Sequence, residues 1–444
     1  MQLIYNVKDK PKFGQLIVFA IQQLLAIMAA TIAVPAIVGN GMTASAALFG
    51  AGVGTLVYQL FTKFRSPVFL GSSFAFIGSM CAAFAGAVST SAGYTGLIVG
   101  AILAGLVYVV IAMIIKFVGV AWINKLMPAV VIGPTVALIG LSLSVNAVND
   151  LYVGKVAGCS VYVAIICGLI TLGAIFAFSV FGSKNIKLIP FVLGILVGYV
   201  AAAIFTVIGL LTDNVELQVI NFAAFKDMSI FAVPDFAFVE AFKGVKAIDG
   251  AFLATVAVAY VPVAFVVFAE HIADHKNLSS IIEKDLLEDP GLDKTLLGDG
   301  VGSMAGAFFG GCPNTTYGES VGCVAITKNA SVITITTAAI MSIVISFFGP
   351  FVTFLSSIPN CVMGGVCVAL YGFIAVSGLK MIQKVDLNDS KNLFVVSAIL
   401  IPGIGGFSVS FGKVTLTTIA CALILGILTN TLLNKFQKKE SSEN

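Results

Sequence analysis

The chain has 444 residues, 59% hydrophobic and only 10% charged, with a mean hydropathy of +1.07. Soluble globular proteins carry about 25% charged residues, so this composition excludes one and points to a polytopic membrane protein. The net charge of +3 comes from loop lysines and argues nothing about nucleic acid.

Apolar runs of about 20 residues, each enough to cross a hydrocarbon core of roughly 30 Å, recur about fourteen times. The first, over 13–34, includes Gln22 and Gln23 and follows Lys8, Lys10 and Lys12, which places the N-terminus inside. It lacks a small-residue cleavage site and is expected to be a retained span, not a signal peptide. The second ends at Lys63 and Arg65, again inside. Residues 68–76 read VFLGSSFAF and lead into a small-residue run to Gly93, the first broken element. Spans are expected over 97–117, 127–145, 161–181 and 189–211. Lys116, Lys125, Lys184 and Lys187 fall in cytoplasmic loops, and Trp122 sits near a membrane boundary.

Residues 213–249 carry both signs of charge and Pro234, and read as an external connection between two halves. The eighth span, 250–269, ends in AEHIADH. Beyond it Leu278, Ile281, Ile282, Leu286 and Leu287 recur at helical spacing, which predicts an amphipathic cytoplasmic helix stopped by Pro290 and Gly291. A ninth span runs to Gly311. Then comes PNTTYGESVGCVAITK over 313–328, where a β-prone run ends at Gly318 and a helix-compatible run starts at Glu319. Further spans are expected at 332–354, 362–377, 394–408 and 416–433.

Of the 24 Lys and Arg residues only Lys155, Lys226, Lys243, Lys246 and Lys413 fall outside, so both termini are expected to be cytoplasmic. The second half repeats the order of the first, with GSSFAF and TTYGES marking the breaks. Seven spans per half is an odd number, so the copies are expected to be inverted. Paired interrupted segments point to a binding site near the midplane.

Ionisable residues at membrane depth are functional candidates by default. Glu319 opens the helix after the second break, where unpaired amides and the positive dipole end would face a ligand. Its plainer roles are a helix cap or a partner for Lys328. Glu270 and Asp274 share one helix face a turn apart, and their repulsion when both are charged suits a proton-coupled site. His271 can change charge near physiological pH, while His275, beside Lys276, is expected at the water interface. A metal site fails: Ile272 stands where a zincin needs Glu, and no third histidine exists. The eight cysteines form no C-x-x-C pair and read as small buried hydrophobes. The glycine-rich stretches 39–41 and 403–406 match no phosphate loop.

The run Glu319, Ser320, Val321, Gly322, then Thr327 and Lys328, resembles the signature of the nucleobase/ascorbate transporter family, [Q/E/P]-N-x-G-x4-T-[R/K/G]. LGSSFAF from Leu70, AEHIADH from Ala269, DPGL from Asp289 and PNTTYGE from Pro313 resemble that family's uracil branch. The resemblance implies an all-α fold with 14 transmembrane segments in two inverted repeats of seven, and short antiparallel strands in segments 3 and 10. It implies a core domain over 13–118 and 250–357, a gate domain over 121–211 and 361–434, the external connection 212–249, a cytoplasmic tail 435–444 and a homodimer through the gate domain. Glu270 and Glu319 would bind the base, the backbone of Phe74 and Gly318 would complete its edge, and Tyr371 would face it from the gate. Glu270, Asp274 and His271 would serve proton coupling, with no cofactor and no metal. Three positions depart from the pattern: Ser320 replaces the usual Asn, Gln23 a histidine, and Asp274 a histidine one turn after the first glutamate. The function expected is proton-coupled import of uracil or a close analogue; the alternatives are a purine permease of the same family, an uncoupled facilitator and a membrane enzyme.

Overall fold

The computed structural model describes residues 3–119, 128–226, 228–411 and 414–443. Trp122, Lys125 and Lys413 lie outside the described residues, as does the start of the expected 127–145 span. Among the described residues nine helices are long and apolar enough to cross a bilayer.

In chain order, α1 (Phe13–Val38) and α2 (Ala44–Phe61) precede strand β1 (Leu70–Ser72) and the short α3 (Ile77–Ala85). Thr43 starts α2 by accepting the Ala46 amide, and Ser89 starts α4 (Thr90–Val118) by accepting that of Ala92. That cap draws α4 out beyond the expected 97–117. Next come α5 (Ala129–Ser142), α6 (Ser144–Asp150), α7 (Val161–Phe181) and α8 (Pro190–Leu211). Among its described residues the connection contains one α-helix, α9 (Ala237–Gly244), and three short 3-10 turns.

Asp249 caps the 33-residue α10 (Gly250–Ile282), accepting the Phe252 amide at 2.7 Å. This helix overturns the expectation of a separate amphipathic helix. Nothing at Lys276 or Asn277 breaks it, so Leu278 and Ile282 form its last turns and pack inward, and it ends where Glu283 turns left-handed at φ 54°. The second half continues with α11 (Leu292–Gly310), β2 (Asn314–Thr316), α12 (Gly318–Thr327), α13 (Val332–Ile345), α14 (Gly349–Ser357), α15 (Asn360–Ile382), α16 (Ser390–Ile404), the strands β3 (Val409–Phe411) and β4 (Val414–Leu416), and α17 (Thr418–Glu443). The expected 332–354 span is thus two helices, with Pro350 opening the second.

Helices α1, α2, α4, α10, α11 and α13 pack on one another, and α5, α7, α8, α15, α16 and α17 form a second set. Without a hydrophobic drive between helices in lipid, close backbone approach holds such sets together. A Cβ on Gly50 would lie 2.5 Å from the Gly306 carbonyl, and one on Gly302 would lie 2.7 Å from that of Gly54, so α2 and α11 touch backbone to backbone. Gly140 of α5 and Gly378 of α15 do the same in the second set. Large side chains such as Phe117, Phe181 and Leu211 are left exposed, as a lipid-facing surface requires.

The two interrupted segments meet. Strands β1 and β2 pair antiparallel, with Leu70 opposite Thr316, Gly71 opposite Thr315 and Ser72 opposite Asn314. Side chains anchor the pair: Thr55 Oγ1 of α2 accepts the Leu70 amide at 2.9 Å, and Asn314 Nδ2 donates to the Gly50 carbonyl at 3.0 Å. Gly71 is required by its neighbour, because a Cβ there would lie 2.4 Å from the Tyr317 ring, whose hydroxyl donates to the Ser72 carbonyl at 2.7 Å. Gly71→Ala is expected to displace Tyr317 and cost about 1–3 kcal/mol by overpacking. An unchanged melting temperature in the purified variant would show that the ring yields freely.

Candidate substrate site

Each strand hands over to a helix at the same depth, and the chain between them lines a cavity of about 400 Å³. Phe74 and Ala75 contribute from the first break, and Thr315 through Glu319 from the second. Helix α10 adds Glu270, Ala273 and Asp274 from across the cavity, and the second helix set closes it with Ile132, Val136, Leu370, Phe373, Ile374 and Ser377. The cavity therefore lies between the two sets, at the point where backbone is least regular.

Three carboxylates face it: Glu270, Asp274 and Glu319. Asp274 Oδ2 accepts from Thr316 Oγ1 at 2.8 Å, which ties α10 to strand β2. Among the described residues no lysine or arginine lines the cavity. Helix α12 begins at Gly318 with no side-chain cap, so its first-turn amides are available to a ligand beside Glu319. Unpaired first-turn N–H groups of this kind attract acceptor atoms. The arrangement offers carboxylate acceptors and backbone donors around one largely apolar cavity, a complement to a small ligand carrying both N–H and C=O groups.

Of the residues expected at the site, Glu270, Glu319, Phe74, Gly318 and Asp274 line this cavity. Tyr371 does not: it is 2% exposed and meets the edge of Phe74 at 6.0 Å between ring centroids, so it supports the lining from behind. Leu370, Phe373 and Ile374 of the same helix take its place. His271 also points away from the cavity. It is fully buried, with Nδ1 2.8 Å from Asp299 Oδ2 and Nε2 3.0 Å from Thr295 Oγ1, both on α11.

His275 corrects the sequence expectation most sharply. It is not at the water interface but fully buried, because α10 continues past it. Its Nδ1–H donates to the His271 carbonyl at 2.8 Å, which leaves Nε2 to accept from the Tyr58 hydroxyl at 2.7 Å. The two imidazoles stack 4.0 Å apart. Asp299 is absent from the sequence-derived candidates, although a lone carboxylate in the ninth apolar run carries the same signal as Glu319.

Two departures from the signature pattern turn out to be partners. Gln23 of α1 donates through Nε2 to Ser320 Oγ, which also accepts the Phe69 amide at 3.1 Å. This bond fixes the first turn of α12 against α1 and the approach to β1. Glu319 is thereby held by the residue that follows it. Among the described residues no cluster of His, Cys, Asp and Glu could hold a metal ion.

An apolar bundle whose two broken segments pair beside a cavity lined by three carboxylates defines a multi-pass membrane permease. The chain matches the Permease family model over residues 14–412 and belongs to that family, the nucleobase/ascorbate transporters. It is 39% identical to the uracil permease of Bacillus caldolyticus over 433 residues, covering 97% of this chain and 94% of that one. It is 36% identical to the uracil permease of Bacillus subtilis (98% and 96% covered) and 33% identical to that of Escherichia coli K12 (95% and 92% covered). These relatives are permeases, not enzymes. Among solved structures, the transmembrane domain of the cyanobacterial bicarbonate transporter BicA superposes with a TM-score of 0.63 at 14% identity, over 96% of this chain and all of that one. SLC26A9 superposes with a TM-score of 0.65 at 11% identity, over 96% and 66%. The fold is thus shared far beyond recognisable sequence similarity.

Proposed function

We propose that the chain is a proton-coupled symporter importing uracil, or a closely related nucleobase, across the cytoplasmic membrane. The observation that carries this reading is the cavity itself: three carboxylates and the uncapped start of α12 converge on it, and among the described residues no cation lines it. A uracil ring presents two N–H donors and two carbonyl acceptors in one plane. Glu270 and Glu319 would take the donors, and the backbone at Gly318 and Phe74 would take the carbonyls. An anionic substrate would meet only like charge. Three carboxylates around one cavity also repel one another, and a coupling proton shared among them relieves that repulsion.

In this reading the paired breaks belong to segments 3 and 10 of a 14-segment fold built as two inverted repeats of seven. The first helix set is the core domain and the second the gate domain, with the boundaries that the sequence suggested. Pairing of two copies through the gate follows from the family resemblance. The lysine-rich end would be cytoplasmic by the positive-inside rule. The relatives named as uracil permeases support uracil over a purine as the cargo.

Uptake of labelled uracil into proteoliposomes, with and without an inward proton gradient, tests the proposal. Accumulation that collapses with a protonophore is expected. Equal flux without a gradient would point to an uncoupled facilitator, and transport of xanthine in place of uracil would point to a purine permease.

A further inference from the structure

A second cavity of about 760 Å³ continues the first toward the lysine-rich end, sharing Ile132, Ala269, Ala273, Ser377 and Met381 with it. Its charge is opposite. Lys276 of α10 and Lys380 and Lys384 at the end of α15 line it together with Asn277, and among the described residues no carboxylate does. Among the described residues none of these three lysines forms an ion pair. The passage therefore runs from a vestibule with three cations to a chamber with three carboxylates.

We infer that this vestibule is a binding site for the phosphate of a pyrimidine nucleoside 5′-monophosphate, whose base enters the substrate cavity with N3–H as its one remaining ring donor, N1 being bonded to the sugar. The inference rests on the nucleobase reading above. Lys276 lies six residues beyond Glu270 on one helix, about 9 Å along its axis, a span comparable to that from a base edge to its 5′-phosphate. Ala273, Ser377 and Met381 line both cavities, so the sugar would lie against them. A phosphate dianion is stabilised by ammonium donors and repelled from a chamber walled by Glu270, Asp274 and Glu319. Such a nucleotide binds without being carried. A neutral base held only by the proton gradient can leave again when that gradient falls, whereas a reaction that attaches it to a charged group, as phosphoribosyl transfer does, retains it. The product of that reaction, accumulating on the lysine side, would occupy the carrier and slow further entry.

The test is displacement of labelled uracil from the purified protein in detergent by uridine 5′-monophosphate, uridine or inorganic phosphate. Wild type is compared with the triple variant Lys276→Gln, Lys380→Gln, Lys384→Gln. In wild type the nucleotide is expected to compete better than uridine, and added salt to weaken that advantage. In the triple variant its inhibition constant should rise about tenfold or more, with uracil binding retained as the check on folding. Uridine competing as well as the nucleotide, or the triple variant showing no change, would overturn the inference. So would inorganic phosphate competing equally, since no base would then be involved. Competition seen in phosphatidylcholine bilayers but abolished in phosphatidylglycerol would assign the lysines to lipid headgroups and also overturn it. Loss of uracil binding in wild type itself would remove the nucleobase reading and this inference together, whereas intact uracil binding without competition removes the inference alone.

Discussion

Glu319→Ala is expected to weaken uracil binding by about 3 kcal/mol, roughly 150-fold, while leaving the protein inserted and folded. The carboxylate sits at the open start of α12, and Gln23 and the Phe69 amide hold the neighbouring Ser320 from the other side. Its removal leaves ring N–H groups of the base facing an apolar wall, and an unpaired buried donor loses its hydration without compensation. Glu319→Gln is the milder case, because one amide oxygen still accepts while the amide nitrogen faces a second donor. Equilibrium binding of labelled uracil, with thermal unfolding as the folding control, separates these effects. An affinity close to wild type in a folded Glu319→Ala protein would end the assignment.

The parts of this site written in local sequence were legible, and the parts that depend on packing were not. LGSSFAF and PNTTYGES announce themselves because β-prone residues and glycine interrupt long apolar runs. Their antiparallel contact was expected from the family resemblance, and it lets each break satisfy backbone groups that it could not satisfy alone in the bilayer. The Glu270 and Asp274 pair was legible from helical spacing. His275 was not, because its neighbour Lys276 suggests a surface while α10 runs on to Ile282 and buries the imidazole against Tyr58. Tyr371, which the family resemblance placed facing the base, is not among the lining residues: the rotation of α15 presents Phe373 and Ile374 to the cavity and sets Tyr371 against Phe74. The bond between Gln23 and Ser320 joins positions almost three hundred residues apart, beyond the reach of any local pattern.

Behind the cavity lies a second polar layer. Asp299 and Thr295 grip His271, His271 stacks on His275, and His275 meets Tyr58, whose hydroxyl also bonds Ser66 at 2.7 Å. This layer clamps α10 to α11 and α2 on the face opposite the ligand. It fixes the rotation of α10, so Glu270 and Asp274 are aimed into the cavity by contacts that never touch the substrate.

Asp274→Asn is expected to retain uracil binding and base exchange but to lose gradient-driven accumulation. Asp274 lies one turn nearer the vestibule than Glu270, and Thr316 Oγ1 donates to it at 2.8 Å, so it is both supported and reachable by water from the lysine-rich end. The asparagine keeps an oxygen that can accept the Thr316 bond, so the strand stays anchored and the base-binding geometry survives. What it cannot do is gain and release a proton, and a carrier without that step only equilibrates its cargo. Glu270→Gln should lose both properties, because Glu270 is assigned to ligand contact as well as coupling. The comparison is made in proteoliposomes, by counterflow for exchange and by an imposed inward proton gradient for accumulation. If Asp274→Asn concentrates uracil with the wild-type dependence on pH, Asp274 is a structural partner of Thr316. The coupling role then passes to Glu270 or to the buried pair of His271 and Asp299, for which His271→Gln is the next variant to compare.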